Sequence, residues 1–131
     1  IELLNHLEAI LILNLHQTDL NSDLLSDLKK EILFAKRFLK KLKLKMLYWH
    51  GQKDKYACLK QVCLQHNIAL HQVAYLGNDT NDMECLRHCG VAVVPADAHV
   101  SVKRIAHLQT KSRGGQGVLR ELADLLLAKA K

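Results

Sequence analysis

Short apolar runs alternate along this chain with segments whose apolar residues recur at helical spacing, and that alternation limits the possible folds more than any other feature. Glu8–Asn14 (EAILILN), Lys45–Trp49 (KMLYW), Val73–Leu76 (VAYL) and Gly90–Pro95 (GVAVVP) read as strands, with a last short strand leading out of Ile105–Leu108. Helical spacing fills the intervals: from a cap at Ser26 or Asp27 to about Leu42, over Asp54 to His66, Asn81 to Cys89, His99–Ala106 and Val118–Ala130. A strand that is apolar without alternation is buried on both faces. Strands of that kind separated by helices predict an α/β fold with a central parallel sheet covered on both sides. Ligands of such sheets bind beyond the carboxyl ends of the strands. Three polar clusters fall there: Asn14–Gln17, His50–Lys55 and Gly77–Asp82.

The third cluster is the most informative. Gly77-Asn78-Asp79-Thr80-Asn81-Asp82 follows its strand directly. Glycine lets the chain turn sharply there. Converging carboxylates and amides are hard oxygen ligands of the kind Mg²⁺ takes together with water and substrate phosphate. The same residues also fit a simple acidic turn, with Asp82 complementing the dipole of the helix that follows. Lys53 and Lys55 stand after Gly51 at a strand end, where a lysine can hold a phosphate as a point charge. Taken alone, each is better read as a surface lysine. Gly114-Gly115-Gln116-Gly117 precedes the last helix, with Arg113 and Arg120 nearby. Amides at a helix start bind anions, although a plain flexible loop has the same composition.

Composition narrows the partners. A chain of 131 residues suits one domain with one core. No apolar run reaches the roughly 18 residues of a membrane span, and Leu7–Leu15 lacks the flanks of a signal peptide. The net charge of +6 is concentrated at Lys29, Lys30, Lys36, Arg37, Lys40, Lys41, Lys43 and Lys45. Ile32, Leu33, Phe34, Phe38, Leu39 and Leu42 interleave with them, as on an amphipathic helix with a solvated basic face. No stacking aromatics or RNA-binding motif accompany the stripe, which disfavours nucleic acid. Cys58, Cys63, Cys85 and Cys89 form no CxxC pair. The i, i+4 spacing of Cys85 and Cys89 would permit zinc, but free buried thiols in a reducing cytosol are the simpler reading. Ile1 in place of a start methionine points to a fragment, a processed product or part of a longer chain.

Four stretches in this order carry a resemblance: GQKDK at 51–55, VAYLGNDTNDMECL at 73–86, GVAVVPADA at 90–98 and GGQGVLRE at 114–121. Together they resemble the haloacid dehalogenase superfamily, and within it the small capless branch acting on 3-deoxy-manno-octulosonate 8-phosphate. The chain is more similar still to the related domain at the C-terminus of acylneuraminate cytidylyltransferases, the CMP-sialic acid synthetases. The resemblance implies a three-layer, Rossmann-like sheet and a single domain over 1–131. It also implies a cytoplasmic homotetramer, or a nuclear one if the parent is an animal sialate-activating enzyme.

Active members of that family carry an aspartate nucleophile at the end of the first strand and an aspartate acid/base two residues on. Here Asn14 and His16 hold those places. An amide cannot form the aspartyl-phosphate, although His16 could still move a proton. The resemblance assigns Ser26 to the phosphate-contacting hydroxyl and Lys55 to the phosphate-stabilising lysine. Arg113, Gly114, Gly115 and Arg120 are further phosphate candidates. The Mg²⁺ set becomes Asn14, Asn78, Asp79 and Asp82, with Asn78 standing where the family has its first metal-binding aspartate. Loss of two carboxylates implies weak Mg²⁺ binding. The short interval between Asn14 and Lys55 implies either that the chain lacks the family's β-hairpin flap, which would fall around 18–23, or that the residues there are not contiguous in the natural chain. Three functions follow as expectations. The first is a degenerate phosphatase-like domain serving oligomerisation or regulation in sialic acid activation. The second is an active Mg²⁺-dependent phosphatase on a nonulosonate or octulosonate phosphate, and the third a nucleic-acid module. No glycine- and arginine-rich nucleotide motif supports the cytidylyltransferase reaction within these residues.

Overall fold

The computed structural model describes residues 9–13, 30, 33, 37, 40, 44–49, 54–114 and 117–130. Five strands form one sheet: β1 (Ala9–Leu13), β2 (Lys45–Trp49), β3 (Val73–Leu76), β4 (Val91–Val94) and β5 (Leu108–Gln109). Their order is β2-β1-β3-β4-β5, and every pair is parallel. Ile12 lies beside Tyr48 on one side and Leu76 on the other, so β1, β2 and β3 end at one level. From β2 the chain passes over β1 to reach β3. Right-handed crossovers running in opposite directions put their connections on opposite faces of the sheet. They also open a crevice at the carboxyl edge where the direction reverses, beside β1 and β3.

Among the described residues, helices with full ranges are α1 (Lys55–Gln65), α2 (Met83–His88), α3 (Val100–Lys103) and α4 (Val118–Ala130). All four residues of β3 and all four of β4 are buried, which requires cover on both faces. On one face Val73, Tyr75, Ala92 and Val94 join Leu59, Val62 and Cys63 of α1 and Cys85 and Leu86 of α2 in a single core. Ala74, Leu76, Val91 and Val93 alternate with them and take the opposite face. Helix α4 contributes a buried stripe of Val118, Leu119, Leu122, Ala123 and Leu126. The fold is therefore the α/β sheet that the sequence implied.

The ends of several elements differ from expectation, for local reasons. Asp54 and His66 are the caps of α1 and lie outside it. The Asp54 carboxylate accepts from the Ala57 amide at 3.1 Å. The predicted helix over Asn81–Cys89 begins instead as a 3₁₀ turn at Thr80–Asp82, because Asp79 caps that turn and Asp82 is held by other partners. The predicted helix over His99–Ala106 is only α3, with the His99 ring accepting from the Ser101 amide at its start. The last strand is correspondingly later, at Leu108–Gln109. Lys30, Arg37 and Lys40 are helical and exposed, as expected of a solvated basic face, but Leu33, expected on the apolar side, is exposed with them.

The cysteines have become core. Cys63, Cys85 and Cys89 are buried, and Cys58 is half-buried. Burial pushes the Cys85 and Cys89 thiols up to about 12. Cys89 Sγ donates to the Leu86 carbonyl at 3.4 Å. Among the described residues no group of three or more His, Cys, Asp or Glu converges as a metal site, so the zinc alternative for Cys85 and Cys89 has no further ligands there. No helix among the described residues is long and apolar enough to cross a membrane.

Helix α1 ends in a Schellman arrangement. Asn67 takes the left-handed conformation with φ 54°. The Ile68 amide donates back to Cys63 at 2.8 Å and the Asn67 amide to Leu64 at 3.3 Å. Ile68 packs on the core beside Cys63. The motif fixes the angle at which the chain leaves α1 for β3. Asn67→Ala is expected to lower stability by about 1 kcal/mol because alanine tolerates this conformation poorly, whereas Asn67→Gly should match or exceed the parent. Urea midpoints of the two variants check this, and equal losses would contradict it.

Candidate functional site

The loop after β3 folds around one carboxylate. Asp82 is completely buried. Its Oδ2 accepts from the amides of Asn78 at 2.9 Å and Asp79 at 3.2 Å, within its own loop. Its Oδ1 accepts from the Tyr75 hydroxyl at 2.7 Å and from Lys55 Nζ at 2.8 Å. Both oxygens thus have two donors each, which exhausts their ordinary capacity. Gly77 makes the wrap possible, since a Cβ there would stand 2.6 Å from Asp82 Cγ.

Lys55 reaches this carboxylate from another element. It is the first residue of α1, just beyond the carboxyl end of β2, and its side chain has no solvent exposure. A second bond joins its Nζ to Asn81 Oδ1 at 3.1 Å. An ammonium has three N–H donors, and the described residues use two of them. The pair therefore fixes a buried cation at the edge of the sheet where ligands bind. Tyr75 supports it from within the core. Burial, followed by the Asp82 charge, pushes the phenol well above its ordinary range and keeps it a donor.

The loops after β4 and β5 complete the edge. The His99 amide donates to the Asn78 carbonyl at 2.9 Å, which ties the β4 loop to the β3 loop. Asp97 accepts from the Gly114 amide at 2.7 Å and lies 3.8 Å from the Arg113 guanidinium. Glu121 of α4 accepts from the Lys111 and Ser112 amides at 2.7 and 2.8 Å and from the Ser112 hydroxyl at 2.8 Å. Partial burial acts to raise the Glu121 carboxyl, but these donors outweigh it and hold the group below its ordinary value of 4.5.

A family model for haloacid dehalogenase-like hydrolases matches residues 5–122. The chain belongs to that family. It is 35% identical over 79 residues to the 3-deoxy-D-manno-octulosonate 8-phosphate phosphatase of Yersinia pestis, covering 60% of this chain and 42% of that protein. The Haemophilus influenzae phosphatase of the same name is 30% identical over 81 residues, covering 62% of this chain and 45% of the relative. The chain thus spans under half the length of the curated relatives it matches. A solved structure of the Moraxella catarrhalis phosphatase, in complex with magnesium, phosphate and a KDO molecule, superposes with a TM-score of 0.77 at 19% identity. That superposition covers 97% of this chain and 89% of the other, and it shows a shared fold.

Among the residues expected to form the site, the structure brings Lys55 and Asp82 into direct contact and sets Asn78 and Asp79 in the same loop. Asp82 has its oxygens filled by protein donors. The described members of the expected Mg²⁺ set are Asn78, Asp79 and Asp82, which share one loop. Asp79 Oδ1 also accepts from the Thr80 amide at 2.7 Å. Arg113 and Gly114 gather on Asp97, and Arg120 lies exposed on α4. Asn14, His16, Ser26, Gly115 and the interval 18–23 lie outside the described residues. Sequence reasoning gave no role to Tyr75, Asp97 and Glu121, and had Asn81 only as a member of the polar loop. Only Tyr75 carried a signal: a phenol in an otherwise apolar buried strand needs a partner for its hydroxyl.

Removing one partner of a buried pair leaves an uncompensated charge. Lys55→Met is therefore expected to cost about 3–5 kcal/mol, and Lys55→Met with Asp82→Asn clearly less than the sum of the two single changes. A double-mutant cycle in urea measures the coupling, and strict additivity would contradict the pairing.

Proposed function

We propose that this chain is a phosphatase-like domain with degenerate catalytic positions. In this reading it serves as a structural, oligomerising or regulatory module in sialic acid (nonulosonate) activation, as part of a cytoplasmic homotetramer. It holds a sugar phosphate at Lys55, with Mg²⁺ bound weakly, and does not hydrolyse it. One observation carries the reading, namely the uneven state of the β3 loop. The pair that aims the lysine is complete, with Lys55 Nζ 2.8 Å from Asp82. The first residue after Gly77, where the family has a metal-binding aspartate, is the neutral Asn78. Asn14 at the nucleophile position removes the second carboxylate. An amide neither attacks phosphorus nor draws a divalent cation as a carboxylate does.

Asp82 in this reading orients Lys55 and does not ligate metal. Asp79 remains for Mg²⁺, while Gly115 and Arg120 are further phosphate candidates, joined by Arg113 and Gly114 once these leave Asp97. A bound Mg²⁺ would supply charge neutralisation to the phosphoryl group. The chain's own part is to present a buried ammonium in a site walled by β3 and α1.

The relatives favour a second reading, an active phosphatase on an octulosonate or nonulosonate phosphate. Its support is the 35% identity to the Yersinia octulosonate phosphatase together with the intact Lys55–Asp82 pair. One assay separates the two. Millimolar Mg²⁺ and a panel of sugar phosphates, octulosonate and nonulosonate phosphates included, should release no phosphate beyond the protein-free control. Robust hydrolysis that vanishes in a folded Lys55→Gln variant would sink the degenerate-domain reading and establish the enzyme.

A further inference from the structure

The resemblance supplies a lysine for the phosphate and the structure pairs it with Asp82, but a third member reaches the pair from inside the sheet. Tyr75 is the second-last residue of β3, has no solvent exposure, and donates to the same Asp82 oxygen as Lys55. We propose that Tyr75 is a positioning residue that, through Asp82, sets where Lys55 holds its ammonium. This rests on the reading of Lys55 as the lysine that meets the phosphate.

The geometry supports the assignment in three steps. First, the two amides on Oδ2 anchor only one side of the carboxylate, and they belong to the loop that carries it. They cannot fix the loop relative to the sheet. Tyr75 can, because its ring belongs to the main core with Leu59, Val62 and Leu86. Second, the phenol and the ammonium share Oδ1 at 2.7 and 2.8 Å. A donor that takes part of the oxygen's charge weakens its hold on the ammonium, leaving more of the cation for a second anion. Third, Lys55 and Tyr75 come from α1 and β3, so the shared oxygen is where the β2 and β3 carboxyl ends are joined. Loss of the hydroxyl would leave Asp82 Oδ1 to Lys55 alone and draw the ammonium inward, away from any phosphate.

Tyr75→Phe keeps the ring in the core and deletes only the hydroxyl. Two readouts in the full chain test the proposal: the Lys55 ¹⁵Nζ resonance, assigned in lysine-labelled protein, and titration with inorganic phosphate in the presence of Mg²⁺. The Lys55 resonance is expected to shift in the variant, and phosphate affinity to fall about five-fold, less than for a direct hydrogen bond to a charged group because the effect reaches phosphate only through Asp82 and Lys55. A lower melting temperature with an unmoved Lys55 resonance overturns the proposal, since a purely structural tyrosine would give that result. If the parent binds no phosphate but the resonance still moves, the positioning stands and the phosphate reading of Lys55 fails. If Tyr75→Phe does not fold, 3-fluorotyrosine in a Tyr48→Phe, Tyr56→Phe background puts a more acidic phenol in the same place. The Lys55 resonance should then move as well, and an unmoved one again overturns the proposal.

Discussion

Burying the Asp82 carboxylate costs several kcal/mol unless its oxygens are fully met by donors, and this requirement organises the carboxyl edge of the sheet. Two donors come from the loop itself, one from the core of β3 and one from the start of α1. Gly77 has no side chain because Asp82 lies against it. The 3₁₀ turn at Thr80–Asp82 exists because that turn delivers the carboxylate inward. The ion pair is a weak source of net stability, as buried pairs generally are. Its worth lies in specifying one position for a cation.

The topology decides where that cation sits. Strand order β2-β1-β3-β4-β5 brings the ends of β2 and β3 to either side of β1, the point at which connections diverge to opposite faces. Lys55 comes from one side of the reversal and Asp82 from the other. Outer loops are tied on by weaker devices: the His99 amide on the Asn78 carbonyl, Asp97 on Gly114, and Glu121 on the Lys111–Ser112 turn. The result is a rigid inner part at β3 and α1, and a periphery held by partly exposed carboxylates.

Much of this was legible in the residues. Val73–Leu76 and Gly90–Pro95 are unbroken apolar runs, and both strands are buried on both faces as such runs require. Asp82 and Lys55 were singled out by the motifs that carry the resemblance, and the structure brings the two together. Their partnership was not legible, because it joins positions 27 residues apart and depends on strand order, which no local pattern encodes. Without that partner, Asp82 reads only as a metal candidate, and its contacts with Lys55 and Tyr75 stay hidden. The contacts of Asp97 and Glu121 were illegible for a related reason, since each carboxylate satisfies loop amides whose positions only the tertiary structure sets. Helix ends were misjudged wherever a side chain intervened, as at His99 and Asp79.

If Asp82 serves to position Lys55, its carboxylate should stay on Lys55 and Tyr75 even when a metal is supplied. A crystal structure of the protein grown with millimolar Mg²⁺ and a phosphate-mimicking metal fluoride tests it directly. Asp82 is expected to keep both bonds near 2.7 and 2.8 Å, with any anion lying on the far side of the Lys55 ammonium. An Asp82 carboxylate turned away from Lys55 onto the metal would contradict it.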